Sequence, residues 1–351
     1  RDWFMHADGI PTTRSLLALK TNETVIRDTE LPGGILARVA NSHIRIGTFE
    51  FAAMQGTGIL KKLADYSIRR HYPELEKTDE RHLNFFAAVC KNQTRLISKW
   101  MNIGFIHGVM NTDNVTISGE TIDYGPCAFM DYYDPKTVFS SIDVAGRYCY
   151  QNQPAILVWN LSKLAEALIP LIDDNEQKSI EKLTEVLQLI MPTYEEYFYS
   201  EMGKKLGIDS ISQNNINLIK DYLKILDSNS IDFTLSFRDF SKILKGTKNI
   251  EDSVFKNIEY FKKWLKDWKD KTISTKTNLR DISNKMDLTN PCFIPRNHII
   301  EDALQNAEDG DMSLTNKILE LFKNPFSEQD NTESFQNPSE IDTPYVTFCG
   351  T

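Results

Sequence analysis

The stretch 107–126 constrains the fold most, because its spacing predicts a tight hairpin between long helical segments. It reads His-Gly-Val-Met-Asn-Thr-Asp-Asn-Val-Thr-Ile-Ser-Gly-Glu-Thr-Ile-Asp-Tyr-Gly-Pro. Val115 and Ile117 alternate with a threonine, as they would in a half-buried strand. The dipeptide at 118–119, Ser-Gly, fits a two-residue hairpin turn. The stretch therefore predicts a two-stranded β-insert.

With that turn, two oxygen-bearing side chains converge at the mouth of the hairpin, since Asn114 lies opposite Asp123. Mg²⁺ and Mn²⁺ prefer oxygen ligands of this kind and also take oxygens from nucleotide phosphates. Protein kinases hold their metal ions with a catalytic-loop Asn and the Asp of an Asp-Phe-Gly segment. Here Asp-Tyr-Gly at 123–125 takes that place. The pattern predicts metal ligands at Asn114 and Asp123.

The same stretch departs from kinase spacing at the position of the catalytic base. Kinases have an Asp five residues before the metal-binding Asn, but Val109 stands there. Valine accepts no proton, so Asp113 is the nearest carboxylate for the role. Two interpretations stay open for Asp113, a base in altered chemistry or a turn-shaping residue. His107 is predicted to pin the loop by hydrogen bonds rather than to act as an acid or base.

A second pair of candidate residues lies earlier in the chain. Arg38 and Arg45 are seven residues apart, near a strand-to-helix connection. Guanidinium groups can grip phosphate oxygens in a forked geometry. Ordinary salt bridges are the alternative explanation.

Length and charge narrow the class of protein. The chain has 351 residues, which suggests one large or two ordinary domains, and a net charge of −9. Residues 1–150 hold 17 basic and 17 acidic side chains, whereas 151–351 hold 23 and 32. That acidic second part argues against a nucleic-acid or anionic-membrane surface, and no apolar run approaches the roughly 18–20 residues of a membrane span. Five cysteines without a CxxC pair make a zinc site or disulfide framework unexpected.

The remaining patterns predict an α+β protein with a short β-containing start and a large helical body. A first hairpin is expected from 15–20 and 24–27, with its turn at Asn22-Glu23. Another strand is expected at 35–39, followed by a helix capped by Thr48. Apolar periodicity predicts helices over these ranges: 81–101, 155–172, 254–268 and 297–323.

Several segments resemble the selenoprotein O (SelO/YdiU) family, in the same order along essentially the whole chain. They include long and unusual runs: 9–14 (Gly-Ile-Pro-Thr-Thr-Arg), 38–50, 107–114, 121–126, 146–148, 152–154, 160–161 and 295–297. The resemblance implies a protein-kinase-like fold that acts as a protein adenylyltransferase. Such an enzyme moves AMP from ATP onto Ser, Thr or Tyr hydroxyls of proteins, with Mg²⁺ or Mn²⁺. The ATP lies flipped relative to kinases, so its α-phosphate meets the acceptor.

The resemblance also assigns roles by position in this sequence. Asn114 and Asp123 match the metal ligands, and Asp123 thereby also contacts ATP. Asp113 matches the proposed base. Arg38 and Arg45 match arginines that hold the outer phosphate. Val109 is consistent with this assignment, because the resemblance implies that the family does not use the ordinary phosphoryl-transfer geometry of kinases.

Two departures from the family pattern qualify the resemblance. The family's glycine-containing nucleotide loop, phosphate-binding Lys and partner Glu have no match here, so we expect a chain that lacks the front of its small lobe. The expected organisation is a small-lobe remnant at 1–55, a helical lobe at 56–330 and a tail at 331–351. Some members also pair an activation-segment cysteine with a C-terminal one. Here 138–143 has no cysteine, which leaves Cys349 as a possible redox residue without that partner.

The expected partners are ATP and hydroxyl-bearing proteins, with no nucleic acid and no membrane, and the protein is expected to be a monomer. The expected location is the cytoplasm in a bacterium, or the mitochondrion in a eukaryote. Two alternatives stay open. One is a kinase-like phosphotransferase, including one that acts on small molecules. The other is a non-catalytic scaffold, because the nucleotide-binding front has no match.

Overall fold

A computed structural model describes residues 1–26, 30–273, 278–339 and 345–347. Within them the helices are Asp2–Ala7 (α1), Ile46–Met54 (α2), Thr57–His71 (α3), Arg81–Ile103 (α4), Gln153–Leu168 (α5), Glu176–Gln188 (α6), Ile190–Lys205 (α7), Gln213–Ser228 (α8), Phe233–Lys245 (α9), Glu259–Thr272 (α10), Leu279–Asp287 (α11), Asn297–Glu308 (α12) and Ser313–Lys323 (α13). The strands are Arg14–Ile26 (β1), Glu30–Val39 (β2), Phe105–Ile106 (β3) and Ala128–Phe129 (β4). Two small antiparallel sheets, β1–β2 and β3–β4, accompany this helical body. The predicted α+β class is confirmed.

The first hairpin differs from its prediction. β1 runs through Asn22-Glu23 and pairs with β2, so that Thr24 lies opposite Pro32. The predicted turn residues instead lie at a register shift within β1. The prediction is wrong because the longer antiparallel pairing satisfies more backbone groups than a local turn would. Arg27, the last residue of the predicted second strand, lies outside the described residues.

The β1–β2 ribbon projects apolar side chains into solvent. Those more than a third exposed include Leu16, Leu17, Leu19, Val25, Ile26, Leu31, Ile35, Leu36 and Val39. A two-stranded ribbon is marginally stable alone. Its attachment to the body therefore comes from its two ends, where β1 follows α1 and β2 leads into α2.

Helix α4 is the central helix of the body and confirms the predicted 81–101 helix. It packs against α5 and α7, and Gly104 ends it with a φ of 71°. α5 confirms the predicted 155–172 helix as far as Leu168, after which Pro170 lies in a single 3₁₀ turn. Tyr150–Leu171 is long and apolar enough to cross a membrane by length and composition. Its buried side, however, carries Gln153 and Asn160, as expected of a core helix.

Two predicted helix boundaries are wrong. The 254–268 stripe becomes helical only at Glu259; Val254 precedes α10 and donates its N–H to Asp239 Oδ2 (2.9 Å). The predicted 297–323 helix is two helices, α12 and α13. Gly310, with a φ of 91°, lies in the break between them. In both places apolar spacing continues across a change of chain direction, since residues of either element can face the same core.

A buried ion cluster ties the end of the β4 segment to two helices. Arg296, just before α12, contacts Asp131 Oδ1 (2.5 Å) and Asp232 Oδ2 (2.6 Å). Its guanidinium also donates to Gln336 O at 2.6 Å. Burial raises the pKa of Asp232, while Arg296 opposes that shift. The cluster holds the start of α9, the start of α12 and the chain after β4 together.

Removing the cation of this cluster should destabilise the protein strongly. In Arg296→Gln the buried Asp232 carboxylate loses its charge partner, so the free energy of unfolding should fall by about 3–5 kcal/mol. Arg296→Lys should lie between this variant and the wild type, because an ammonium cannot form the forked contact. Urea denaturation measures the change.

The matched control is Lys323→Ala, which breaks the exposed pair with Glu320, whose side chains are 54% and 66% exposed. It should change stability by less than about 1 kcal/mol. An Arg296→Gln variant as stable as this control would show that the cluster does not organise the fold.

Candidate active site

His107 fixes the first loop of the site through both ring nitrogens. Its Nε2 donates to Ile122 O (2.8 Å), and its Nδ1 accepts the N–H of Val109 (3.4 Å). The ring is buried and stacks on Trp100 with a centroid separation of 5.4 Å. Burial lowers the pKa of His107, which favours the neutral form that can donate and accept at once. The prediction that His107 pins the loop is confirmed.

The loop at 107–109 connects the two predicted metal ligands. Val109 O accepts a hydrogen bond from Asn114 Nδ2 (3.0 Å), and His107 holds the residue before Asp123. Gly108 has a φ of 84°, and a Cβ there would lie 2.8 Å from Pro126 O. Only glycine combines that conformation with so close an approach.

Two buried amides of α5 support this loop from below, and sequence reasoning gave them no role. Gln153 accepts the N–H of His107 (3.0 Å) and donates to Phe105 O (2.9 Å). Asn160 Nδ2 donates to Met110 O (2.9 Å). For Asn160 the available signal was a polar residue on the apolar face of the predicted 155–172 helix, because a buried amide needs partners; Gln153 precedes that predicted helix.

The predicted two-stranded insert is not formed within 107–126. Thr116 pairs with Arg45 in an antiparallel bridge, whereas Thr121 pairs with Thr12 in a parallel one. The backbone groups of the two expected strands are thus satisfied by other segments. The predicted direct pairing of Asn114 with Asp123 is wrong for this reason, and the 107–109 loop joins them instead.

The first turn of α2 lies against Asp113. Ile46 N donates to Val115 O (2.9 Å), and Ile117 N donates to Ile44 O (3.1 Å). This pairing brings Gly47 so close that a Cβ there would overlap Asp113 Oδ1. The Asp113 carboxylate therefore lies at the N-terminus of α2. Because Asp113 is exposed, its carboxylate is accessible to a substrate.

The N-terminus of α2 lies three residues earlier than predicted. The helix begins at Ile46, and Thr48 does not precede it as a cap. Instead Thr48 Oγ1 accepts the N–H of Arg45 (3.1 Å) from inside the first turn. The hydroxyl therefore satisfies a backbone donor just outside the helix, and Arg45 becomes the residue at the helix start.

The two predicted phosphate-binding arginines occupy different surroundings. Arg45 is half-buried beside Thr116, and its Nε is buried without a hydrogen-bond partner in the described part of the chain. Arg38 is exposed on β2, opposite Ser15. The structure therefore brings Arg45 next to the Asp113 turn, and it places Arg38 on the ribbon that leads there.

Glu120 is a buried residue that sequence reasoning missed. Its carboxylate accepts from Asn41 N (2.9 Å), from Asn41 Nδ2 (2.8 Å) and from Ser118 Oγ (3.0 Å). Asn41 lies between Arg38 and Arg45, so Glu120 clamps the connection that carries both arginines. A charge between Ile117 and Ile122 in a predicted strand was the only signal for it.

The donor set fits a hard divalent cation shared with a nucleotide. Asn114 and Asp123 offer amide and carboxylate oxygens, and nearby Asn111 has a buried Oδ1 without a partner among the described residues. No group of three His, Cys, Asp or Glu side chains suited to a metal occurs in the described ranges. Oxygens from the chain would therefore need completion by phosphate and water.

The four cysteines within the described residues are free and buried: Cys90, Cys127, Cys149 and Cys292. Burial raises the pKa of Cys127, which keeps its sulfur as an unreactive thiol. Cys349, the predicted redox residue, lies outside the described residues.

Protonation of His107 should destabilise the fold. A charged ring presents N–H at Nδ1 to the N–H of Val109, so the folded state disfavours the proton that the unfolded chain accepts. His107 thus contributes stability above about pH 6.5, and that contribution is lost as the pH falls below it. Denaturant unfolding between pH 7.5 and 5 should show a smaller acid-induced loss in His107→Gln than in the wild type. The exposed control His6→Gln should follow the wild type; equal slopes for all three proteins would contradict this interpretation.

Comparisons with known proteins identify a family and several relatives. A family described as "Protein adenylyltransferase SelO" matches residues 3–323. Proteins named "Protein nucleotidyltransferase YdiU" from Clostridium perfringens (strain SM101 / Type A), Cereibacter sphaeroides (strain ATCC 17029 / ATH 2.4.9) and Chromobacterium violaceum are each 45% identical to the chain. The matches cover 99% of this chain and 70%, 72% and 74% of those proteins. With a match over so much of its length, the chain belongs to the SelO family of protein adenylyltransferases.

Proposed function

We propose that this family member transfers AMP from ATP to Ser, Thr or Tyr hydroxyls of other proteins. Its relatives are named protein nucleotidyltransferases, which makes the chain an enzyme with a nucleotide substrate. ATP as the nucleotide and a hydroxyl as the acceptor are the finer assignments. They rest on the resemblance and on the arrangement of Arg45, Asp113 and Asn114.

One observation carries the proposal: residues 44–46 pair with 115–117. This pairing sets the guanidinium of Arg45, with its unpartnered Nε, beside the turn that bears Asp113 and Asn114. A cation for phosphate oxygens, an exposed carboxylate and an oxygen ligand then share one edge of the molecule. Phosphoryl and nucleotidyl transfer need positioning and charge stabilisation of this kind.

The residues divide the reaction between them. The acceptor hydroxyl oxygen attacks the α-phosphorus, and its proton passes to Asp113 as general base. The bond from the α-phosphorus to the bridging oxygen breaks, and pyrophosphate leaves with both bonding electrons. Arg38 and Arg45 bind the departing phosphates and stabilise their charge.

Asn114 and Asp123 would hold Mg²⁺ or Mn²⁺ together with the phosphates, and the ion would neutralise phosphate charge. His107 keeps these two ligands in register, since its ring bonds join Val109 to the residue before Asp123. Redox control through Cys349 also remains part of the proposal.

The wider organisation is likewise proposed. A kinase-like arrangement fits a small-lobe remnant at 1–55, a helical lobe at 56–330 and a tail at 331–351. We also propose a monomer of the bacterial cytoplasm, or of the mitochondrion in a eukaryote, that binds neither nucleic acid nor membrane. The acidic helical half supports the last point, because it repels polyanions.

The family assignment disfavours the two alternatives that the sequence left open. A phosphotransferase needs a base at the position of Val109, and no carboxylate stands there. A non-catalytic scaffold gives no reason for a half-buried arginine beside an exposed carboxylate, with an Nε that has no partner among the described residues.

The choice between adenylyl and phosphoryl transfer is tested with labelled ATP. The protein should incorporate label from α-labelled ATP, and none from γ-labelled ATP, into itself or an acceptor protein. Pyrophosphate should be released in equal amount. Label from the γ position would establish a kinase instead.

Variants of two carboxylates of the site should distinguish ATP binding from AMP transfer. Asp123→Ala should abolish metal-dependent ATP binding in calorimetry. Asp113→Asn should bind ATP within about twofold of the wild type while transfer falls by roughly 10²–10⁴-fold, the usual contribution of a general base. The exposed Asp270→Asn on α10 is the matched control and should change neither. Normal ATP binding by Asp123→Ala would overturn the ligand assignment.

A further inference from the structure

A cavity of about 1190 Å³ lies beside the chain that follows the site. One wall is the segment 130–137, and the opposite wall is formed by the end of α8 and the start of α12. Tyr345 and Val346 of the tail line a third side. The volume exceeds what a single side chain fills, and it suits an extended peptide segment rather than one small molecule.

The cavity and the loop of the site share a structural element. Pro126 O accepts the hydroxyl of Thr347 (2.7 Å), and Gly108 packs on the same carbonyl. Thr347 also pairs with the chain at 139–141 through backbone hydrogen bonds of 2.8 and 2.9 Å. Thr347, which follows the lining residues Tyr345 and Val346, is therefore held against the carbonyl on which Gly108 of the site loop packs.

The cavity carries unpaired negative charge. Asp134 and Asp227 are exposed, and neither forms an ion pair within the part of the chain that the structure describes. Asp227 lies in the last turn of α8, where the helix dipole disfavours a carboxylate. Burial raises the pKa of Tyr133, and the two carboxylates add to the shift, so their fields reach the same space.

The other charged groups that line the cavity do not neutralise the negative charge of Asp134 and Asp227. Asp131 is neutralised by Arg296. Lys136 is the lysine of the lining and opposes two free carboxylates with one charge. His298 also lines the cavity, and its Nδ1 is buried without a partner among the described residues. A ligand that supplies cations would pair with Asp134 and Asp227, the two carboxylates that the lining leaves without an ion pair among the described residues.

We propose that this cavity receives the acceptor protein's segment and selects hydroxyls flanked by Lys or Arg. The inference rests on the proposed adenylyl transfer, and it adds the class of acceptor. Asp134 and Asp227, both exposed in the lining, attract the flanking cations. The hydroxyl then lies on the side of Pro126 that faces the site.

The test uses two synthetic peptides, each with one Ser as its only hydroxyl, flanked by Lys in one and by Glu in the other. Transfer of α-label at low salt should favour the Lys peptide in kcat/KM. Exposed ion pairs contribute little each, so the preference should fall roughly threefold in Asp134→Asn or Asp227→Asn and about tenfold in the double variant. Asparagine at 134 can still accept the N–H of Lys136, which Asp134 Oδ1 now accepts at 2.8 Å.

Charge reversal makes the test sharper. The double variant Asp134→Lys, Asp227→Lys should prefer the Glu peptide, with an unchanged KM for ATP. Asp221→Lys, on an exposed position of the same helix α8, is the matched control and should keep the wild-type preference.

The outcomes separate the two proposals. Equal use of both peptides, an unchanged preference in the double variants, or self-labelling without labelling of either peptide would overturn the cavity assignment alone. Absence of α-label from every protein and peptide, with no pyrophosphate formed, would overturn the adenylyl transfer itself.

Discussion

The His107 ring donates from Nε2 and accepts at Nδ1, and the geometry of the site depends on that pair of bonds. One bond holds the backbone before Asp123, and the other holds Val109, whose carbonyl in turn orients Asn114. Burial against Trp100 keeps the ring neutral, because a charged imidazole would lose hydration without gaining a partner. A polar residue placed in the core thus sets the relative position of Asn114 and Asp123, the two proposed oxygen ligands, which no direct strand pairing connects.

Contacts with segments that are distant in the sequence hold this site together, in place of the local hairpin that the sequence predicted. Thr121 is held by the segment at 11–13, Thr116 by Arg45, and Pro126 by the tail residue Thr347. Each contact brings a different part of the chain to the same edge. The site is therefore assembled only when the body has folded, and the buried Arg296 cluster secures the chain beyond β4 on which the cavity is built.

Sequence patterns predicted local features well where one physical signal dominated. The apolar period of 81–101 predicted α4, and the predicted hydrogen bonds of His107 to its loop are present in the structure. Patterns failed where a distant segment competed for the same backbone groups. β2 pairs with β1 on both sides of Asn22-Glu23, so the predicted turn is instead a register shift within β1. Glu120 was missed because its partner Asn41 is remote in sequence.

The sequence by itself determined the α+β class, the family and the residue types of the proposed metal–nucleotide site, because periodicity and motif order are local properties. Only the tertiary structure decided that Gly47 lies against Asp113 and that Arg45 stands beside that turn. It also decided that, within the described residues, the Arg45 Nε has no partner and the carboxylates of Asp134 and Asp227 line one cavity without an ion pair. These facts depend on which backbone groups find partners across the chain. No spacing rule encodes that choice, since it is made by burial and by the need to satisfy every buried donor and acceptor.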